Sequence, residues 1–178
     1  MSKLPLLILF FLAFIITLSC SSVNEFGKRR IGFHFEKIKP NSDPIAYTIV
    51  DTSKMYRQIS LINTFDHSND SMQNQYLKSN PTYLKFYENG RVGKFTNIDV
   101  TDIDDLNPKK AESYLYTYKK GKFIVQVYFK NPQCGECFIK ETLSKVSKDT
   151  IKMYSEDYIA TYIKIDIPKS YLIYKPEW

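Results

Sequence analysis

The chain has 178 residues with a formal net charge of +6, three cysteines and two histidines. This length suits one domain with its own core and is too short for two comfortable ones. The lysines are scattered and form no basic block, which argues against nucleic acid as a partner. The many Tyr and Phe residues and the few Gly residues favour half-buried strands.

The amino terminus has the features of a lipoprotein signal peptide. Lys3 is followed by the apolar run 4–18 and then by Ser19 and Cys20. The run is shorter than the roughly 20 apolar residues of a membrane-spanning helix. Residues 1–19 are therefore predicted to be removed. The Cys20 thiol then carries diacylglycerol, and the new amino terminus carries a fatty acid such as palmitate. A plain secreted protein and a retained helix are the alternatives.

Residues 20–44 are predicted to be a lipid-anchored tether, and residues 45–178 a single β-barrel domain. The tether is polar and contains Pro40 and Pro44, with one short strand expected over Ile31–Phe35. Ser21, rather than an acidic residue, follows the lipidated cysteine. By resemblance to the enterobacterial sorting rule, this indicates a cell outer membrane location, with the domain outside the cytoplasm.

The first half of the domain contains one clear hairpin. Strands are expected over 45–50 and 58–64, and the polar segment 66–81 is expected to be a loop. The alternating run 83–87 then leads through Glu88-Asn89-Gly90 into the run 91–95. Asn-Gly is a strong turn signal because both residues tolerate positive φ.

The second half contains two further hairpins. An acidic loop is expected over 97–107 and one helical turn over 108–112, before hairpins centred on Lys120-Gly121 and Lys148-Asp149. A long β-rich run follows over 158–167, and a last short strand is expected over 171–174. This order predicts a mainly β fold: an antiparallel meander of about eight strands that hides its edges by closing into a barrel.

Four phrases of the sequence carry a resemblance to known proteins: residues 83–91 (YLKFYENGR), 106–108 (LNP), 147–154 (SKDTIKMY) and 174–178 (YKPEW). They resemble phrases of small Bacteroidetes lipoproteins, which are similar to the lipocalin-like barrel group. The resemblance covers about residues 45–178 and implies a lipocalin-like barrel and an envelope location, with no catalytic residue.

Cys134 and Cys137 form the sharpest local motif. Outside the cytoplasm two such cysteines usually form a disulfide. Strand 123–129 precedes them, and the apolar residues between 138 and 146 fit one face of a helix, which is how a thioredoxin-like redox site is built. A structural disulfide, a redox pair and half of a metal site are therefore the alternatives, although structural zinc needs four ligands.

The remaining polar residues indicate no catalytic or cofactor-binding site. His34 and His67 lie in polar stretches away from any metal-ligand or hydrolase spacing. An acidic cluster is either a solvated loop or a weak calcium site that lacks the EF-hand order; it comprises Asp99, Asp102, Asp104, Asp105 and Asn107. The many aromatic residues either fill the barrel or line a cavity for one small ligand.

The sequence thus predicts a lipid-anchored, non-catalytic envelope protein that binds a small apolar ligand or a partner protein. The alternative function is that of a thiol–disulfide oxidoreductase using Cys134 and Cys137. A strand over residues 138–146 would argue against this alternative, and a helix there would argue against the barrel.

Overall fold

The computed structural model describes residues 23–28, 30, 38–131, 133 and 135–178. The predicted signal peptide, Cys20 and the strand expected over Ile31–Phe35 lie outside these residues. Eight antiparallel strands pair in chain order, and β8 pairs with β1, so the sheet is a closed barrel with meander topology. The strands are β1 (Met55–Asn63), β2 (Thr82–Phe86), β3 (Arg91–Thr96), β4 (Glu112–Lys119), β5 (Lys122–Asn131), β6 (Gly135–Lys145), β7 (Thr150–Tyr154) and β8 (Tyr158–Ile165).

The three predicted hairpins are confirmed as β2–β3, β4–β5 and β6–β7. Gly90 has φ +77°, and a Cβ atom there would lie 2.1 Å from the backbone nitrogen of Asn41. The first hairpin therefore needs glycine for two reasons, its left-handed backbone and the close approach of the segment before the barrel. The β4–β5 turn places both Lys120 and Gly121 at positive φ.

Three of the expected elements are wrong. Residues 45–50, expected to be a strand, contain the short helix α1 (Ala46–Ile49), and the expected loop 66–81 contains the helix α2 (Asp70–Ser79). The expected last strand is a 3-10 helix, Lys169–Ile173. Further 3-10 helices are His67–Asn69, Ile103–Leu106 and Pro108–Lys110, of which the last confirms the expected helical turn.

The two ends of the barrel differ. The connections after β1, β3, β5 and β7 lie at one end, here called the mouth. The connections after β2, β4 and β6 lie at the other end, here called the base. The base is closed from inside, because Ala46 and Val50 of the α1 segment are buried in the same core as the barrel residues. Lys145 at the base end of β6 donates to the Thr48 carbonyl at 2.8 Å, which fixes α1 there.

Aromatic side chains fill the lower half of the barrel. The Phe86 ring lies edge-on to Tyr56, Tyr116 and Phe123, with ring centroids 5.5, 5.6 and 6.0 Å away. Tyr116 and Phe123 stack at 5.1 Å. The Tyr116 hydroxyl donates to the Tyr87 carbonyl at 2.6 Å, so its polar group is satisfied within the core. These four rings are called the aromatic floor below. Because they block the lower half, the interior of the barrel, as far as the structure describes it, opens only at the mouth.

The helix α2 completes the barrel wall where β1 and β2 separate. These two strands pair only at Tyr56–Leu84 and Arg57–Tyr83. Towards the mouth, the freed amides of β1 donate to side chains of α2 instead: Leu61 to Asn74 at 2.9 Å and Asn63 to Asp70 at 3.0 Å. α2 thus replaces a strand neighbour along the upper part of β1.

A second core cluster lies outside the barrel and explains the apolar carboxyl terminus. Residues of the segment 165–178 and of the loop 98–111 pack over the outer faces of β2 and β3, around Tyr83 and Phe95. Trp178 lies under the Arg30 guanidinium, which is 4.8 Å from the ring centroid. The end of the chain is therefore part of the folded domain.

Candidate functional site: the barrel mouth

A cavity with a volume of about 490 Å³ opens at the mouth. Inward-facing residues of β3, β4, β5, β6 and β8 form most of its wall, and two residues of the amino-terminal segment lie at its rim. It is lined by Gly27, Lys28, Lys94, Glu112, Ser113, Tyr114, Val127, Tyr128, Phe129, Ile139 and Tyr158. A cavity of this size suits one small ligand, and barrel mouths are common places for ligand sites.

Glu141 is a carboxyl group buried inside the barrel next to this cavity. It is only 1% exposed. Burial raises the pKa of the Glu141 carboxyl above its ordinary value, and the positive charge of Lys94 and a hydrogen bond from Tyr158 oppose that shift in part. The Tyr158 hydroxyl donates this bond to Glu141 Oε1. A buried carboxyl needs such a partner, because an unpaired charge in an apolar interior is strongly unfavourable.

A second polar group lies at the rim of the cavity. Lys94 and Glu112 are directly opposite each other on β3 and β4, and their Nζ and Oε2 atoms are 3.4 Å apart. The Tyr114 hydroxyl donates to the same Oε2 atom at 2.9 Å. Burial, with the nearby Glu112 charge, raises the pKa of Tyr114 well above its ordinary value, so this hydroxyl stays a hydrogen-bond donor at neutral pH.

The arrangement combines apolar walls with a few convergent polar groups. Val127, Phe129 and Ile139 supply apolar lining, and the tyrosines and the Lys94–Glu112 pair supply polar groups. Apolar lining with a small number of fixed polar groups is typical of sites that bind small molecules. The chemistry favours an amphipathic ligand whose polar group reaches the hydroxyls and charges while its apolar part contacts the wall.

The structure tests one part of the redox alternative. Residues 138–145, whose apolar positions fit one face of a helix, belong to the strand β6, so the expected helix is wrong. Cys137 lies on β6 near the mouth, half-buried and opposite Phe129 in the register. Cys134 lies outside the described residues, and its pairing with Cys137 stays a prediction. In a redox site of this kind, a helix begins at the cysteine motif, and its amino terminus lowers the pKa of the first thiol. Here a strand, β6, follows the motif instead.

The acidic loop is organised by its own backbone. Asp99 accepts from the Thr101 amide at 2.8 Å, and Asp102 accepts from the Asp104 amide at 3.0 Å. Asp105 accepts from Lys110 Nζ at 2.8 Å. These carboxylates cap turns and pair with a lysine rather than converge on one point. In the part of the chain that the structure describes, no group of three or more His, Cys, Asp or Glu side chains is placed to hold a metal ion.

Of the two histidines, His34 lies outside the described residues, and His67 belongs to the 3-10 helix before α2. Glu141, Lys94 and Glu112 are the polar residues that sequence reasoning missed. One signal could have identified Glu141: it alternates with Ile139 and Leu143 along a strand, and a charged residue at an inward position of that pattern is unusual.

A second cavity, of about 450 Å³, lies outside the barrel wall. It separates β2 and the β2–β3 turn from the carboxyl-terminal segment, and Lys85 lines it. Lys85 is 7% exposed, donates to the carbonyls of Thr52 and Lys54, and lies 5.7 Å from the Tyr87 ring centroid. Burial lowers the pKa of Lys85 to about 8, while the charges of Asp51 and Glu88 act in the opposite direction.

The fold and the mouth define the class as a closed eight-stranded antiparallel meander barrel with an open polar end. No protein-family model, curated protein or solved structure matches this chain. None of the helices among the described residues has the length and apolar character needed to cross a membrane.

Proposed function

We propose that this protein is a lipid-anchored, non-catalytic protein of the cell outer membrane, located outside the cytoplasm, whose barrel mouth binds one small ligand. The observation that carries the proposal is the cavity above the aromatic floor, with buried Glu141 and its tyrosine partner beside it. The ligand class that fits is a largely apolar molecule with one or two hydrogen-bonding groups.

The contrast between the two halves of the barrel supports a ligand rather than a filled interior. The lower half of the barrel is packed by edge-on and stacked aromatic rings, whereas the upper half has polar groups at positions that a filled core would give to apolar residues. A polar inward group is unfavourable for folding unless it is satisfied, so its presence there indicates a role beyond packing.

The anchor rests on the sequence alone. Lys3, the apolar run and Cys20 support acylation of that thiol, and two or three acyl chains give stable membrane attachment at about 0.8 kcal/mol per buried methylene. The resulting location gives the mouth access to envelope lipids and to small amphipathic molecules.

Native mass spectrometry of the full chain, purified in mild detergent and incubated with a total envelope extract, tests both parts. An intact mass that starts at residue 20 and carries acyl chains supports the anchor. A retained small-molecule mass that is lost on unfolding supports the binding function. An unacylated mass contradicts the anchor. A clean ligand-free mass contradicts the carrier function and moves attention to a partner protein.

A matched pair of variants locates the binding. Ile139→Trp fills the cavity from its wall and is expected to abolish the retained mass. Lys140→Trp places the same side chain at the neighbouring outward position of β6, which is exposed, and is expected to retain it. Equal retention by both variants would show that the ligand binds elsewhere.

A further inference from the structure

The outer face of α2 carries large apolar side chains in contact with solvent. Met72 and Tyr76 are one helical turn apart and are 69% and 63% exposed, and Phe65 just before the helix is 77% exposed. The opposite face of α2 makes the contacts with the barrel, through Asp70, Asn74 and the buried Leu77. The usual amphipathic pattern, with apolar residues inward, is thus reversed over most of this helix.

These residues lie at the mouth. α2 follows β1, whose mouth end is Asn63, and its side chains bind the last amides of that strand. Scattered single apolar residues on a surface are ordinary, but grouped large ones mark an interaction surface. The residues Phe65, Met72 and Tyr76 are called the α2 apolar face below.

The amino-terminal segment is also held at the mouth. Asn24 Nδ2 donates to the Lys109 carbonyl at 2.5 Å, and Glu25 pairs with Lys109 Nζ at 2.9 Å. Gly27 and Lys28 line the mouth cavity. The chain therefore enters the domain at the same end as the α2 apolar face, and not at the base.

The length of the connection to Cys20 then decides which end is near the membrane. Only two residues, Ser21 and Ser22, separate Cys20 from Val23, and the three steps from Cys20 to Val23 span at most about 10 Å. The nine residues of β1, in a barrel whose strands tilt by about 40°, put the base roughly 20 Å further away. The stretch from Cys20 to Val23 reaches the mouth end and is too short to bring the base to the surface.

We infer that the mouth faces the membrane, with the α2 apolar face resting on the phospholipid surface, so that the cavity is filled from the lipid side. This inference rests on the acylation of Cys20 in the proposed function. The α2 apolar face contacts the boundary between headgroups and acyl chains. There, Phe, Met and Tyr side chains bury their apolar parts, while the hydroxyl of Tyr stays in contact with water. The ligand class it implies is a membrane-borne amphiphile.

Tryptophan reporters in the full-length lipoprotein test this orientation. Met72→Trp places a reporter on the α2 apolar face. Val146→Trp places one at the base, just after β6, at a side chain that is also exposed (55%). Each variant is reconstituted into vesicles of phosphatidylethanolamine and phosphatidylglycerol, with either brominated or unbrominated phosphatidylcholine. The wild-type chain supplies the contribution of Trp178, and near-ultraviolet circular dichroism confirms folding.

Brominated lipid is expected to roughly halve the added emission of Met72→Trp, because the side chain inserts at the acyl boundary, and to leave that of Val146→Trp unchanged. Tyr76→Trp serves as a second reporter if Met72→Trp alters the circular dichroism spectrum.

Flotation of the vesicles separates the possible failures. A protein that floats but shows no quenching at the α2 apolar face overturns the orientation and leaves the anchor intact. Quenching of Val146→Trp alone means that the base faces the lipid, which also overturns it. A protein that does not float contradicts the anchor and the orientation together.

Discussion

Lys85 is expected to make the protein more stable as the pH rises from about 7.5 to 9.5. Burial lowers its pKa to about 8, whereas the same lysine in the unfolded chain titrates at 10.5. Between these two values the folded state has released a proton that the unfolded state still binds, so the free energy of unfolding increases with pH. Below pH 8 both states are charged, and this gain is absent.

The size of the effect follows from the two pKa values. The difference between a pKa of 10.5 in the unfolded chain and about 8 in the folded protein corresponds to about 3.4 kcal/mol, of which about 2 kcal/mol falls between pH 7.5 and 9.5. Above pH 10 the buried tyrosines oppose the trend, because burial raises their pKa and the unfolded chain ionises first; for Tyr56 the pKa rises to about 12. The tyrosines already begin to oppose the rise near pH 9.5, so the contribution of the lysine is the difference between the wild-type chain and a variant that lacks Lys85 but keeps the same tyrosines.

Urea unfolding at a series of pH values measures this dependence. Lys85→Met keeps the side-chain length and is expected to remove the rise, while Lys122→Met, at an exposed lysine, controls for the loss of one positive charge. In the described part of the chain, no carboxylate lies within ion-pairing distance of Lys85, so no salt bridge masks the effect. The same pH dependence of unfolding in the wild-type chain and in Lys85→Met would refute the reasoning.

Three further predictions concern a turn, a helix and the mouth. Gly90→Ala is expected to lower the melting temperature far more than Gly121→Ala, because both have positive φ but only the first Cβ meets backbone atoms; equal losses, each about 1–2 kcal/mol, would contradict the close packing there. Asn74→Ala leaves a β1 amide without its acceptor and is expected to cost about 1–3 kcal/mol in urea unfolding, against little for exposed Gln75→Ala; a neutral Asn74→Ala would show that α2 does not support β1. The free energy of unfolding of the wild-type chain is expected to fall as pH rises above 4.5, because folded Glu141 keeps a proton that the unfolded chain has lost. Glu141→Gln should remove this fall. If the free energy of unfolding of Glu141→Gln has the same pH profile as that of the wild-type chain, the prediction is wrong.

The alternation of apolar and polar residues determined most of the barrel. The runs 83–87 and 91–95 and the turn at Asn89-Gly90 predict their hairpin directly, because side chains alternate between faces and glycine tolerates positive φ. The same local rules predicted the other two hairpins and the closed meander. The lipid anchor at Cys20 also comes from the sequence alone, and it stays a prediction.

Local patterns failed where tertiary contacts choose the conformation. Tyr47, Thr48 and Ile49 are β-formers, yet they belong to α1 because a compact turn buries Ala46 at the base of the barrel. α2 was missed because its apolar side chains face solvent and its polar ones bind β1, so it has no ordinary amphipathic signal.

The candidate site was decided by the closed barrel. Lys94, Glu112 and Tyr114 lie within a short stretch of sequence, but Glu141 and Tyr158 come from later strands, and only closure brings them beside the same cavity. Alternation determines that a residue faces inward. Which inward residues meet, and whether the space between them is filled or open, depends on strand register and on the side chains from all eight strands, which no local pattern contains.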